Sequence, residues 1–497
     1  MWFMLVGARP NALRASALLV LAGVAGCGRT DLDITGGLYG ESDRSTDAGV
    51  TDTGVDDGAG TVDSAYAGGS DAPAAPCATQ SLLPGSTIPE WSISVQPRAG
   101  SILEDVYAVM VAADGAIFAV GCGDLTGVGQ GEFSNGDGAC FLAKLDSNGR
   151  PFFVDRFVDD VNDPLSVGLV DDHEGGVVIG LRYDEETDLG GTWESAGCGV
   201  EHINGCGELL WAHPFPGLDC VSSFAFTGDK NGRSILAASC GSYCSGGSTV
   251  IRLDQQGTLV SQRILNGATL LAAAVQSDDT LLLGGYGGGQ VDFGAGSRDL
   301  GQSSVFFATY DTQLSLENLL VSADGAGNEM EAAATADGTG FVVAGVLDQT
   351  GVNLGGGPLP YSGPGPAGGP NQDIFVARLT THLGHVFSES FGDATSQDTT
   401  SICLDPDGAI SWAGLAGVET SFGGLVVSGD ATMGADGFLA RFAPDGTPQA
   451  VTGTPDGVRQ LACITNGYAL AGYTGYPADL GAGVVPTGGY VVKRARP

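Results

Sequence analysis

Positive charge is scarce in this sequence. Lys and Arg total 20 against 58 Asp and Glu, giving a formal net charge of −38 and a pI near 4.1. Such a surface repels phosphate, which excludes nucleic acid as a partner and gives no attraction to an anionic membrane. Histidine is rarer still, with five copies: His173, His202, His213, His382 and His385. None stands in a nucleophile or metal-ligand spacing such as H-E-x-x-H. No G-x-S-x-G or Walker phrase occurs in a suitable setting, and no paired C-x-x-C points to zinc. The Gly-rich tract 284–289 follows a strand without opening a helix, so it is a turn and not a phosphate cradle. No catalytic residue, metal ligand or cofactor is therefore expected. Beyond the first 26 residues, no apolar run reaches the roughly 20 residues that a membrane-spanning helix needs.

What is present begins with an address. Arg9 and Arg14 form a short basic region, and residues 15–26 (ASALLVLAGVAG) are apolar and end in small residues. That is the layout of a secretory signal. Val24-Ala25-Gly26-Cys27 resembles the lipobox of bacterial lipoproteins. The resemblance implies cleavage after residue 26, lipidation of Cys27 and a membrane anchor made of acyl chains. Gly28, where a retention signal would place Asp, implies the outer membrane. Residues 27–89 then form the lipidated Cys and an acidic linker rich in Gly, Asp and Ala. Such a segment cannot bury enough surface to offset chain entropy, so a disordered tether is expected. Its Asp residues lack the Gly and closing Glu spacing of a calcium loop.

From Glu90 to Pro497 the chain repeats. One phrase places a basic or polar residue late in an apolar run: CFLAKLDSNG (140–149), CGVEHINGCG (198–207), STVIRLDQQG (248–257), VFFATYDTQ (305–313), IFVARLTTH (374–382), GFLARFAPDG (437–446) and GYVVKRARP (489–497). An apolar segment, a turn and a small-residue strand precede each copy, as in VYAVMVAADGAIFAVG (106–121) and SICLDPDGAISWAG (401–414). The Asp-Gly and Asn-Gly pairs in these phrases are hairpin signals, which assigns the Asp residues of the two PDG turns to structure. A third phrase lies between: Asp188-Leu189-Gly190, Asp292-Phe293-Gly294, Asn353-Leu354-Gly355, Ser421-Phe422-Gly423 and Asp479-Leu480-Gly481, with Glu132-Phe133 weaker. In phase, these motifs resemble the bacterial seven-bladed β-propeller repeat of secreted and surface proteins. The resemblance implies an all-β chain of seven four-stranded blades. The last copy ends after a third strand, and EWSISVQ (90–96) has the character of the fourth strands elsewhere. That strand is expected to pair into the last blade and close the ring, since an open array leaves an unpaired edge.

With Cys27 assigned to lipid, ten of the 11 cysteines remain, and an exported chain favours disulfides. Hairpin geometry pairs Cys122 with Cys140 and Cys220 with Cys240, and Cys198 with Cys206 could staple a turn. Cys403 and Cys463 occupy matching positions in adjacent blades, which suggests too wide a separation. Asp boxes of the sialidase type and the Trp-rich signature of quinoprotein propellers are both missing. The leading expectation is a non-catalytic lipoprotein, anchored at the outer membrane on its periplasmic or surface side. Its propeller would bind or scaffold an envelope protein or a glycan. The alternatives are an exported lyase or glycan hydrolase with a site in the central channel, and an envelope-assembly factor. Convergent His, Arg and acidic groups at one channel mouth would favour the enzyme.

Overall fold

Apolar residues that alternate along short segments, separated by turns reaching positive φ, fold each repeat into an antiparallel four-stranded sheet. The computed structural model describes residues 90–96, 105–126, 140–158, 167–183, 187–189, 192–194, 197–216, 218–239, 247–323, 329–348, 351–363, 371–393, 395–428, 437–454, 457–465 and 467–496. Blade 1 comprises Asp105–Val111, Ile117–Cys122, Cys140–Leu145 and Pro151–Val158; blade 2, Val167–Asp171, Val177–Tyr183, Gly197–Ile203 and Leu209–Pro216. Blade 3 comprises Asp219–Gly228, Ser234–Ser239, Ser248–Leu253 and Leu259–Leu265; blade 4, Ala268–Val275, Leu281–Gly287, Ser304–Tyr310 and Leu316–Ala323. Blade 5 comprises Met330–Ala334, Gly340–Leu347, Asp373–Thr380 and His385–Phe391; blade 6, Asp398–Leu404, Ile410–Leu415, Gly437–Phe442 and Pro448–Thr454. Blade 7 takes Val458–Ile464, Gly467–Thr474 and Gly488–Ala495 from the end of the chain and Trp91–Gln96 from before blade 1. The seven sheets form a β-propeller, and no helix occurs among the described residues.

The first strand of each blade lies at one edge of its sheet and touches the first strands of both neighbouring blades, including blade 7 against blade 1. These seven strands therefore wall the central channel. The core lies between blades. Phe307 and Val305 of blade 4 pack with Phe341 and Phe375 of blade 5, and Trp412 of blade 6 packs with Val342 and Phe391 of blade 5.

The ring closes as expected, with the strand Trp91–Gln96 paired into blade 7. Trp91 pairs with Lys493 and Val95 with Gly489. Lys493 holds the basic position of its phrase, as His202 does in blade 2, and His202 pairs with Trp211. Trp91 and Trp211 are thus equivalent. Each donates its indole N–H across the seam to the next blade's third-to-fourth turn, Trp91 to Ser147 O at 3.2 Å and Trp211 to Gln255 O at 2.8 Å. The turn glycine two residues later makes room. A Cβ on Gly149 would sit 2.7 Å from the Trp91 ring, and one on Gly257 2.8 Å from Trp211. The sheet of blade 7 also has a fifth strand that the repeat pattern lacks. Asp124–Thr126, from the second-to-third loop of blade 1, pairs with the outer edge of the closing strand. An inserted strand leaves one edge unsatisfied, and this segment covers it.

Disulfides join Cys122 to Cys140, Cys198 to Cys220 and Cys403 to Cys463. The first matches the hairpin expectation, since the two residues are direct cross-strand partners. The pairings Cys198–Cys206 and Cys220–Cys240 are corrected. Cys198 opens the third strand of blade 2 and Cys220 the first strand of blade 3, so the bond crosses a blade seam that hairpin reasoning does not consider. Cys206 is disulfide-bonded too, and Cys240 lies outside the described residues. The separation inferred for Cys403 and Cys463 is also corrected, because their Cα atoms are 5.6 Å apart. Cys403 pairs with Ser411, itself opposite the basic-position Arg441. The residue of that phase in blade 7 is Ala462, paired with Ala469 opposite Lys493. Cys463 is one residue further along, and strand alternation turns it back toward blade 6.

Candidate functional site: the flap face and the channel mouth

The two faces of the ring treat their polar residues differently. On the hairpin face, the basic residue of the first phrase clamps turns together. Lys144 donates to Gly175 O of blade 2 at 2.6 Å and lies 3.9 Å from Asp114 of its own first turn. Arg378 pairs with Asp337 at 3.2 Å and donates to Pro444 O of blade 6. Arg441 grips Asp405 at 3.0 Å and Asp407 at 2.9 Å, and Arg496 of blade 7 reaches Asp405 at 2.7 Å. Lys493 closes onto Ser147 O of blade 1. In blade 3 the bridging falls to Arg233, which pairs with Asp229 and with Asp279 of blade 4. Arg252 is fully buried there, and burial, then the charge of Arg233, lowers its pKa.

Histidine joins the same scheme. Buried His202 lies 2.9 Å from Asp172. Burial works against the charge of Asp172, but the hydrogen bonds from His202 and from the Glu174 and Gly176 N–H groups hold it below the usual carboxylate range. His173 sits on an exposed turn beside Asp171, and His385 contacts Ser388. The Asp of each PDG turn accepts from its own turn, Asp407 from Ala409 N and Asp445 from Thr447 N.

The opposite face carries the second-to-third loops and the blade-to-blade connections. Here the third phrase builds small flaps: Thr187–Leu189 with Thr192–Glu194, Gln290–Asp292 with Ser297–Asp299, a bridge from Asn353 to Pro358, Glu419–Phe422 with Leu425–Ser428, and Ala478–Asp479 with Val484–Val485. The polar residue caps the turn. Asp292 accepts from Gly294 N and Gly296 N, and Asn353 from Gly355 N and Gly357 N. The apolar residue is the anchor. Phe293, Leu354, Phe422 and Leu480 are buried against the seam with the preceding blade. The tips stay in solvent, with Val426 48% and Val484 67% exposed. Of the long second-to-third loops, 124–126, 351–363 and 417–428 are among the described residues. Cys27 and Glu132-Phe133 lie outside them.

The mouth of the channel on this face holds charges that motif reading missed. Each first strand starts here, and the starts of blades 5, 6, 7 and 1 bring Glu329, Glu331, Asp398, Arg459 and Asp105 to adjacent walls. Arg459 pairs with Asp105 at 3.0 Å, joining blade 7 to blade 1. Glu329 is exposed as a residue, yet its carboxyl is crowded. Burial against the wall, then its hydrogen bond with Asp398 and the charges of Asp398 and Glu331, push it up to about 9 against the pull of Arg459. Burial raises half-buried Glu331 to about 8. Glu329 can therefore hold its proton at neutral pH beside the Asp398 carboxyl. The sequence signal was an acidic residue at the start of several first strands, as in Glu104-Asp105, Asn328-Glu329 and Gln397-Asp398. It escapes a motif search because the residues meet only through the ring. None of the described histidines belongs to this group.

No family model and no curated protein matches the chain. Among solved structures it is similar to the Dos1 propeller, with 11% identity over 82% of this chain and 95% of that one and a TM-score of 0.42. It is similar also to a Kuenenia stuttgartiensis hydrazine synthase chain, with 11% identity, coverage of 80% and 98% and a TM-score of 0.41. BamB from Moraxella catarrhalis gives 12% identity, coverage of 81% and 99% and a TM-score of 0.36.

Proposed function

We propose that the chain is an exported lipoprotein, lipidated at Cys27 and held at the outer membrane. Its propeller is a non-catalytic binding or scaffolding module that presents the flap face to an envelope protein or a glycan. The observation behind this reading is the asymmetry of the faces. Lys144, Arg378, Arg441 and Lys493 of the hairpin face are engaged in turn clamps. The flaps of the other face hang variable tips on buried anchors, so the tips can change without disturbing the blades. Replacing 124–138, 348–373 and 417–435 by short turns should abolish capture of the partners that the intact protein retains from native envelopes. Retention of every partner by a folded triple-loop variant would refute the assignment. Cys27→Ala should release the protein from membranes, and persistence in the membrane fraction after a high-salt wash would remove the anchor from the proposal.

One observation favours a second reading, an exported lyase or glycan hydrolase working at the channel mouth. A carboxyl that keeps its proton beside a second carboxylate is the pairing that general acid chemistry uses. Glu329→Gln separates the two readings. It leaves partner capture intact if the flaps bind, and it abolishes turnover of an envelope glycan if the mouth is an active site.

A further inference from the structure

We propose that Cys403–Cys463 is a redox-responsive staple across the seam of blades 6 and 7, opened by a small dithiol that reaches it from the channel. Position and exposure place it apart from Cys122–Cys140 and Cys198–Cys220. Its cysteines lie on the first strands of their blades, which wall the channel, and both are partly exposed. Cys122, Cys140, Cys198 and Cys220 are each buried to 2% exposure or less, within core clusters. The bond joins blades 6 and 7 at a seam that is also held by the ion pair of Arg496 with Asp405. Ser401 accepts from Leu461 N at 3.1 Å one step toward the flap face. Ser411 donates to the Tyr468 hydroxyl at 3.2 Å behind the bond, on the second strands.

Access decides which disulfide exchanges first, because a thiolate must approach the sulfur in line. One thiolate of the dithiol attacks a sulfur of the pair and expels the other cysteine as a thiolate. The reductant's second thiol then closes on its own sulfur and releases the first cysteine. The chain gains two electrons and two protons as two thiols, and the dithiol leaves as a cyclic disulfide. The ring stays closed by Trp91–Gln96, and blade 7 keeps its hydrogen bonds to that strand. The freed seam supports two flaps, Glu419–Ser428 and 478–485, so reduction loosens the face on which binding is proposed. The staple itself does not depend on that binding role.

The test is pulsed alkylation of the oxidised full-length chain under graded dithiothreitol, read by mass spectrometry of the cysteine peptides. Cys403 and Cys463 should be labelled at least tenfold faster than Cys122, Cys140, Cys198 and Cys220, while the protein remains folded by circular dichroism. Equal rates, or earlier labelling of either other pair, would overturn the proposal. So would labelling of Cys403 and Cys463 only on global unfolding. Hydrogen exchange gives the second readout. Amides of Asp398–Leu404 and Val458–Ile464 should exchange faster in the selectively reduced protein, with those of blades 2 to 4 unchanged. Unaltered exchange in the two strands would show that the bond opens without releasing the seam, and would reject its role as a switch.

Discussion

The closing strand is held by two side chains that can be removed without touching its hydrogen bonds. Ile93 and Val95 are 2% and 0% exposed and belong to one cluster with Val106, Ile117 and Phe141 of blade 1 and Ala469, Ala471 and Val491 of blade 7. They lie two residues apart, so they point to the same side and fill the blade 7–blade 1 seam together. Truncation to Ala removes buried methyl groups from the blade 7 side of that seam. A buried Ile→Ala costs about 3 kcal/mol and a Val→Ala about 2 kcal/mol, including the cavity left behind. The two share one cavity, so the sum of about 5 kcal/mol is an upper bound. Ile93→Ala/Val95→Ala should therefore lose about 3–5 kcal/mol in urea-induced unfolding. Amides of Gly488–Ala495, which face the closing strand, should lose their protection first. A loss below about 1 kcal/mol with unchanged protection would refute the packing. It would mean that the ring holds together without its N-terminal strand.

Two further outcomes follow from the charges. Glu331 titrates near 8 in the folded chain against an ordinary value of 4.5, so the folded state keeps a proton that the unfolded state releases. Its contribution falls as pH rises through that window, by at most about 1.4 kcal/mol per pH unit; Glu331→Gln should gain on the wild type in melting temperature between pH 5.5 and 8, and a constant difference would refute this. The clamps should differ according to the burial of the acid. Arg441→Met strips one of two arginines from fully buried Asp405 and should cost about 2–3 kcal/mol, whereas Arg378→Met faces an Asp337 that is 57% exposed and should cost under about 1 kcal/mol. Equal losses in urea unfolding would refute the distinction.

What the sequence made legible was whatever one repeat contains. Alternation and Asn-Gly or Asp-Gly turns give the strands, and the phase of seven phrases gives the blades. The match of EWSISVQ to the fourth strands gives closure, which Trp91 and Trp211 confirm by making the same hydrogen bond. Contacts that arise only when two blades meet stayed hidden. The basic residue was visible in every phrase that has one, but Lys144 finds Gly175 O only after the ring sets blade 2 beside blade 1. Hairpin reasoning kept Cys198 and Cys220 within their own blades, while the fold joins them across a seam. Cys403 and Cys463 looked equivalent by phrase, and a one-residue offset made them opposed. The channel mouth is the extreme case. Glu329, Asp398, Arg459 and Asp105 come from four blades and span most of the chain, so no local window contains them. In a closed ring, the start of every first strand is delivered to one small circle whatever lies between. An acidic residue tolerated at that phase is brought beside those of adjacent blades, and the raised pKa of Glu329 is the electrostatic consequence of closure.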